Sequence, residues 1–275
     1  MANQTVRYKK PPVIERALTI HVDLPEETFA LKMDSWKQIL REDLPHPEIL
    51  TEWTLGITEK HGMPVLDPER QTITLRQTFW KMAGAGQKDH GMQLWRDRIA
   101  FNLIGAPGNP RQYKDLQAFV DEWLPRWAAH FGVTECTGVT LQYVNLLSEA
   151  TLPTFTEGRT TLKLGEVLTI FRGLPNPTGS MILSPFNMLV NMDCPNSNPP
   201  ARFAIQCNSA EVQPTSSSKS IPPTLHLHFF ATSHLVGHKI SINKSQDEAL
   251  VMHDLIIAYF EACFTERAKA SFEPC

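Results

Sequence analysis

Apolar and polar positions alternate with two different periods along this chain, and the changes of period mark its elements. Residues 13–24, VIERALTIHVDL, set Ala17, Leu18, Ile20 and Val22 in a strand-like run. Pro25, Glu26 and Glu27 then open a helix, since acidic residues suit the positive end of the helix dipole. Phe29, Met33, Trp36 and Leu40 recur at helical spacing, so one side of that helix is expected in the core. Three strand-like runs follow, TEWTLGIT, QTITLRQTFWKM and MQLWRDRIAFNLIG, with turn signals in KHGMPVLDPE and AGAGQKDHG. A second helix, YKDLQAFVDEWLPRWAAHFG, carries Leu116, Phe119, Val120, Trp123 and Trp127 on one stripe and closes on Gly132. Pro125 predicts a kink within it.

The order then recurs. GVTLQYVNLLSE reads as a strand and TLKLGEVLTIFRG as a shorter helix. SPFNMLVNMD, PARFAIQCNSAEV and PTLHLHFFATSH read as three strands, and a long helix is predicted from about Gln246 to Lys269. Strands segregated from helices indicate an α+β fold, a mostly antiparallel sheet with helices on one face. The chain divides into two strand-helix-three-strand-helix halves, 1–132 and 133–275, expected to pack as one globular unit. Such a pseudo-repeat corresponds to a TATA-box-binding-protein-like or helix-grip-like arrangement. The alternative makes GVTLQYVNLL the last strand of a ferredoxin-like first half.

Strand residues point alternately to opposite sides. In LHLHFFATSH, Leu225, Leu227, Phe229 and Ala231 share one side, and His226, His228, Phe230, Thr232 and His234 the other. Trp95, Ile99, Phe101 and Leu103 are assigned to one side of their strand, with Arg96, Arg98, Ala100 and Asn102 opposite. Arg202, Gln206 and Asn208 lie opposite Phe203, Ile205 and Cys207. The candidate ligand-binding residues are therefore Arg96, Arg98, Asn102, Arg202, Gln206, His226 and His228, whose side chains make directional hydrogen bonds to planar or anionic groups.

Composition narrows the partner. A net charge of −3 disfavours bulk capture of nucleic acid, although Arg76, Arg96 and Arg98 keep a nucleic-acid-binding variant open. MANQTVRYKK lacks the apolar core of a signal peptide, and no apolar run is long enough to span a bilayer. Five scattered cysteines without a C-x-x-C pair suit reduced thiols, so a cytoplasmic location is expected. His226 and His228 could begin a metal site, but no carboxylate lies between residues 212 and 246 to complete it. Phosphate loops, nucleophile elbows and dinucleotide fingerprints are absent as well. No metal, cofactor or catalytic residue is therefore assigned.

Several stretches carry a family resemblance: YKKPPVIERALTIHVDLP, MQLWRDRIAFNLIG with RQYKDLQAFVDEWLPRW, LQYVNLL, and ALVMHDLIIAYFEACFTERA. Together they resemble a sporadically distributed family of uncharacterised bacterial proteins, with a PP-x-x-E-A-type first strand, a central R-x-x-F-N strand and a closing helix with H-D, F-E and Thr. Arg16 departs from it, standing where a small apolar residue would follow the glutamate. The matching positions are Pro12, Glu15, Arg98, Phe101, Asn102, Tyr113, Tyr143, Asn145, His253, Asp254, Phe260, Glu261 and Thr265. Of these, Glu15, Tyr143, Asn145, His253, Asp254 and Glu261 are expected to form a structural network. Asp254, Glu261 and Thr265 would make a polar stripe on the last helix. The family's patchy distribution implies a role in phage defence or another mobile module. Taken together, these readings give a non-catalytic binding or assembly protein with a protein partner or small anionic ligand. The rival is a metal-assisted hydrolase or nuclease built on His226 and His228.

Overall fold

The computed structural model describes residues 8–60, 63–83, 87–105, 111–148, 150–156, 164–171, 187–209, 224–233 and 239–274, with 50–60, 63–75, 83, 154, 156, 171, 187 and 209 described by backbone alone. Strand β1 (Val13–His21) is followed by helix α1 (Glu26–Leu40) and strands β2 (His46–Lys60), β3 (Met63–Ala83), β4 (Gln87–Leu94) and β5 (Arg98–Ile104). Helix α2 (Tyr113–Phe131) leads to β6 (Glu135–Cys136) and β7 (Gly138–Leu147), then to the short helices α3 (Pro153–Thr156) and α4 (Leu164–Val167). Strands β8 (Asn187–Cys194), β9 (Ala201–Ser209), β10 (Leu225–Ser233) and β11 (Ile240–Ser241) precede α5 (Ser245–Cys263) and α6 (Glu266–Ser271).

Nine strands form one sheet in the order β2-β3-β4-β5-β1-β7-β10-β9-β8, and every pairing in it is antiparallel. The fold is α+β. The β4-β5-β1-β7 block has the strand order of a ferredoxin-like unit, and β7 also begins the second block, β7-β10-β9-β8. One apolar core runs through both. Trp36 on α1 and Trp123 on α2 meet edge-on at 6.2 Å, so helix packs on helix as well as on sheet. Helix α2 starts with a capping box between Gln112 and Asp115, ends on the left-handed Gly132, and continues through the exposed Pro125.

The element content differs from the sequence reading in four places. MQLWRDRIAFNLIG is two strands, because the chain turns back at Arg96 and Asp97, where the Trp95 N–H donates to the Arg98 carbonyl at 3.0 Å. The first half thus holds four strands after α1. KHGMPVLDPE is largely strand: β3 begins at Met63, and AGAG falls mostly outside the described residues. TLKLGEVLTIFRG supplies only α4 and one 3-10 turn at Thr169–Phe171 among the described residues. The last helix breaks at Phe264, and Thr265 caps α6 by accepting from the Ala268 amide.

Candidate ligand-binding face

Strand β10 is buried at every odd position from Leu225 to Ser233 and half-buried at every even one. Its even side chains stand on the face opposite the helices. Because the strand repeats every two residues, the His226, His228 and Phe230 rings form a ladder. Their centroids are 6.3 Å and 6.0 Å apart, with interplanar angles of 28° and 12°. The register sets Leu146, Val144, Gln142 and Thr140 of β7 beside His226, His228, Phe230 and Thr232. On the other flank it sets Asn208, Gln206, Ala204 and Arg202 of β9. Gln142 Nε2 donates to His228 Nδ1 at 3.1 Å, a bond that requires the neutral imidazole. Burial, followed by repulsion from His226, holds His228 below the ordinary histidine range. Asn208 Oδ1, beside His226, is buried and lacks a hydrogen-bond partner.

The other end of this face is closed by its own side chains. Trp80 covers the cross-strand Gly91, and its Nε1 donates to Glu48 at 3.0 Å while Lys88 lies 4.7 Å over its ring. Arg98 and Arg76 lie 4.5 Å and 5.6 Å over the Trp95 ring. Trp95 therefore shares a face with Arg98 and not with Ile99, because the turn after β4 resets the parity. Arg96 sits in that turn, 3.8 Å from Glu26 of α1, and does not join Arg98. Asn102 is buried and donates to Glu15 at 2.7 Å, about 14 Å from the ladder at three strand spacings. Arg202, at the ladder's margin, donates to Asp193 at 3.1 Å. Of the seven candidates, His226, His228, Gln206 and Arg202 share one patch; Arg96, Arg98 and Asn102 lie elsewhere. Phe230 and Asn208 belong to the patch too, on the sides that strand parity gives them, and the same count along β7 adds Gln142. His234 lies outside the described residues.

The expected network resolves into separate sites. Tyr143, 2% exposed, donates to His253 Nδ1 at 2.6 Å, and Tyr113 stacks on the His253 ring at 4.1 Å and 7°. Arg16 lies 4.9 Å over the Tyr143 ring, with its Nη1 donating to the Arg111 carbonyl. Burial, the largest cause, takes His253 down to about 4, against a smaller opposing pull from Asp254. Asp254 does not join His253 in the core: it is exposed, because neighbours on a helix diverge by about 100°. Asn145 donates to the Leu227 carbonyl at 3.0 Å. Glu261 accepts from Tyr8 at 3.0 Å and faces Lys269 at 3.6 Å. Thr265 leaves the proposed stripe to cap α6. Glu15 joins none of these, being held by Asn102.

Burial raises the Cys136, Cys207 and Cys263 thiols to about 11, 12 and 11, so they stay protonated at neutral pH. Among the described residues, no group of three or more His, Cys, Asp and Glu side chains could hold a metal ion. A cleft of about 370 Å³ opens beside α2, lined by Lys81, His90, Arg111, Asp115, Phe119 and Glu122 among others. There Arg111 donates to Asp89 at 2.6 Å, and Asp89 also pairs with His90 at 3.0 Å. Among the described residues, no helix is long and apolar enough to cross a membrane. The chain matches no protein-family model and no curated protein.

Proposed function

We propose that this is a binding or assembly protein whose sheet face around β10, opposite α5, receives an extended, uncharged polypeptide segment of a partner. The observation that carries this reading is the half-exposed ladder of His226, His228 and Phe230, flanked by Gln142, Gln206 and Asn208. Flat amide groups stack on such rings, and the flanking amides offer both donors and acceptors. Asn208 Oδ1 gains a partner when a seated segment brings an N–H to it. Charge separates this reading from its rivals. Arg202 is paired with Asp193, and Arg98 lies three strand spacings away, so among the described residues phosphates laid along the ladder would meet no row of cations.

A photo-crosslinking residue tests the assignment. Placed at position 228 in native host cells, it is expected to capture a polypeptide, and Phe230→Glu is expected to abolish that product. The same probe at Leu31, 82% exposed on α1, serves as the control. Equal capture at both positions, or capture of nucleic acid at 228, overturns the proposal.

A further inference from the structure

The two edges of the nine-stranded sheet are built differently. Edge strand β2 carries Pro47, Glu48, Glu52, Glu59 and Lys60, and its pairing with β3 is interrupted between Thr54 and Gly56. Prolines, charges and bulges are the usual means of keeping a free edge from pairing with another chain. Edge strand β8, NMLVNMDC, has none of these except Asp193, and its register with β9 is unbroken over eight residues. It also leaves Leu189 57% and Val190 37% exposed. A regular, nearly uncharged and apolar edge is a template for a further strand.

We infer that a second copy of this chain supplies that strand, giving a two-fold dimer through antiparallel β8–β8 pairing. The argument rests on parity. Residues opposed across an antiparallel pair point to the same side of the sheet. A two-fold axis normal to the sheet must therefore pass through a residue and not between two. With the axis on Val190, Met188 opposes Met192 and Val190 opposes itself. These three residues pair in β8–β9 with Cys207, Phe203 and Ile205, the buried row on the helix side. The apolar row thus continues unbroken into the second copy, and Asp193 falls opposite residue 187, away from its own mate. An axis on Asn191 would instead set Leu189 against Asp193. The strand is self-complementary in the register centred on Val190, which opposes the helix-side apolar residues Met188, Val190 and Met192 within the strand, as an isologous interface requires. A single strand pair with its flanks buries less than about 1,200 Å², the size of a reversible contact, so dissociation in the micromolar range is expected.

Sedimentation of the full chain at tens of micromolar tests this. A reversible dimer is expected, and Val190→Lys, which places two ammonium groups on the axis, is expected to leave only monomer with an unchanged circular dichroism spectrum. Register is read separately with Val190→Cys. Opposed Cα atoms stand about 4.5–5.5 Å apart, within disulfide reach, so mild oxidation is expected to link the dimer. Leu189→Cys is the control: its two copies are diagonal, about 7–8 Å apart, and are expected to stay unlinked. A wild-type monomer at these concentrations, a dimer that survives Val190→Lys, or a dimer in which Val190→Cys does not link would each overturn the inference.

Discussion

Replacing His253 with asparagine is expected to weaken the protein at neutral pH and strengthen it in acid. The asparagine Oδ1 can still accept from Tyr143, but no ring remains to stack on Tyr113. A buried aromatic pair contributes about 0.5–1.5 kcal/mol beyond its area, so a loss of about 1 kcal/mol is expected above pH 7. The acid limb has the opposite sign. Burial takes the native His253 down to about 4 from an ordinary value of 6.5. Between those values the unfolded chain binds the extra proton, so native stability falls as pH drops from 6.5 toward 4. Integrated over that window the loss is about 2–3 kcal/mol, which asparagine, having no proton to take up, does not incur. The two stability curves should cross where the wild type has lost about 1 kcal/mol, close to pH 6 by the same linkage relation. Urea unfolding between roughly pH 4.5 and 8 measures the difference, and His21 and His228, present in both proteins, cancel from it. A difference that is the same at every pH would refute the reasoning.

Three further substitutions probe packing, capping and buried charge. Gly91→Ala would drive a Cβ into the Trp80 ring; a loss of about 1–3 kcal/mol is expected, with red-shifted tryptophan emission as the indole is displaced. Thr265→Ala removes the acceptor for the Ala268 amide and a 2.7 Å donation to the Glu166 carbonyl. It should lower the urea midpoint by the equivalent of about 1–2 kcal/mol, and Thr265→Ser should restore most of it. Arg16 is 8% exposed, its Nε has no partner, and burial lowers its pKa. Arg16→Met keeps the stem against Tyr143, so a thermal melt should show it equal to wild type or more stable, by up to about 2 kcal/mol. A clear loss would show that the guanidinium's bond to the Arg111 carbonyl is needed for stability.

Parity is legible in sequence wherever one side of a strand is uniformly apolar. Residues 225–233 meet that condition, and each even position stands where alternation puts it. Trp95 and Arg96 fall off the counted sides for a physical reason: the chain turns at Arg96 and Asp97, and Asp97 alone among them is a turn-favouring residue, with no glycine or proline to announce the turn. Once an unannounced turn intervenes, counting by twos places Trp95 on the wrong side. The apolar content of residues 164–171 suits a buried turn as well as an amphipathic helix, and four residues are too few for periodicity to discriminate. The Arg16–Tyr143–His253–Tyr113 cluster had no local signature, since its members come from β1, β7, α5 and α2. His253 has Asp254 beside it in sequence, yet it bonds Tyr143 across the core. The helix turns adjacent side chains apart, while sheet register brings distant ones together.

The ladder and the free edge are connected by that same register. Ladder strand β10 is separated from edge strand β8 by β9 alone. In a β8–β8 dimer the two ladders would therefore lie five strand spacings apart, about 24 Å, on one continuous face. A partner segment that reaches both ladders would gain from the high effective concentration of the second once the first is engaged. Val190 touches neither ladder, since its side chain lies on the helix side in register with Ile205. Val190→Lys is thus expected to reduce crosslinking at position 228 without altering the site itself, and the deficit should vanish when two copies are fused to restore the pair. If crosslinking is unchanged in a variant shown to be monomeric, each copy binds alone, and the free edge serves assembly without serving recognition.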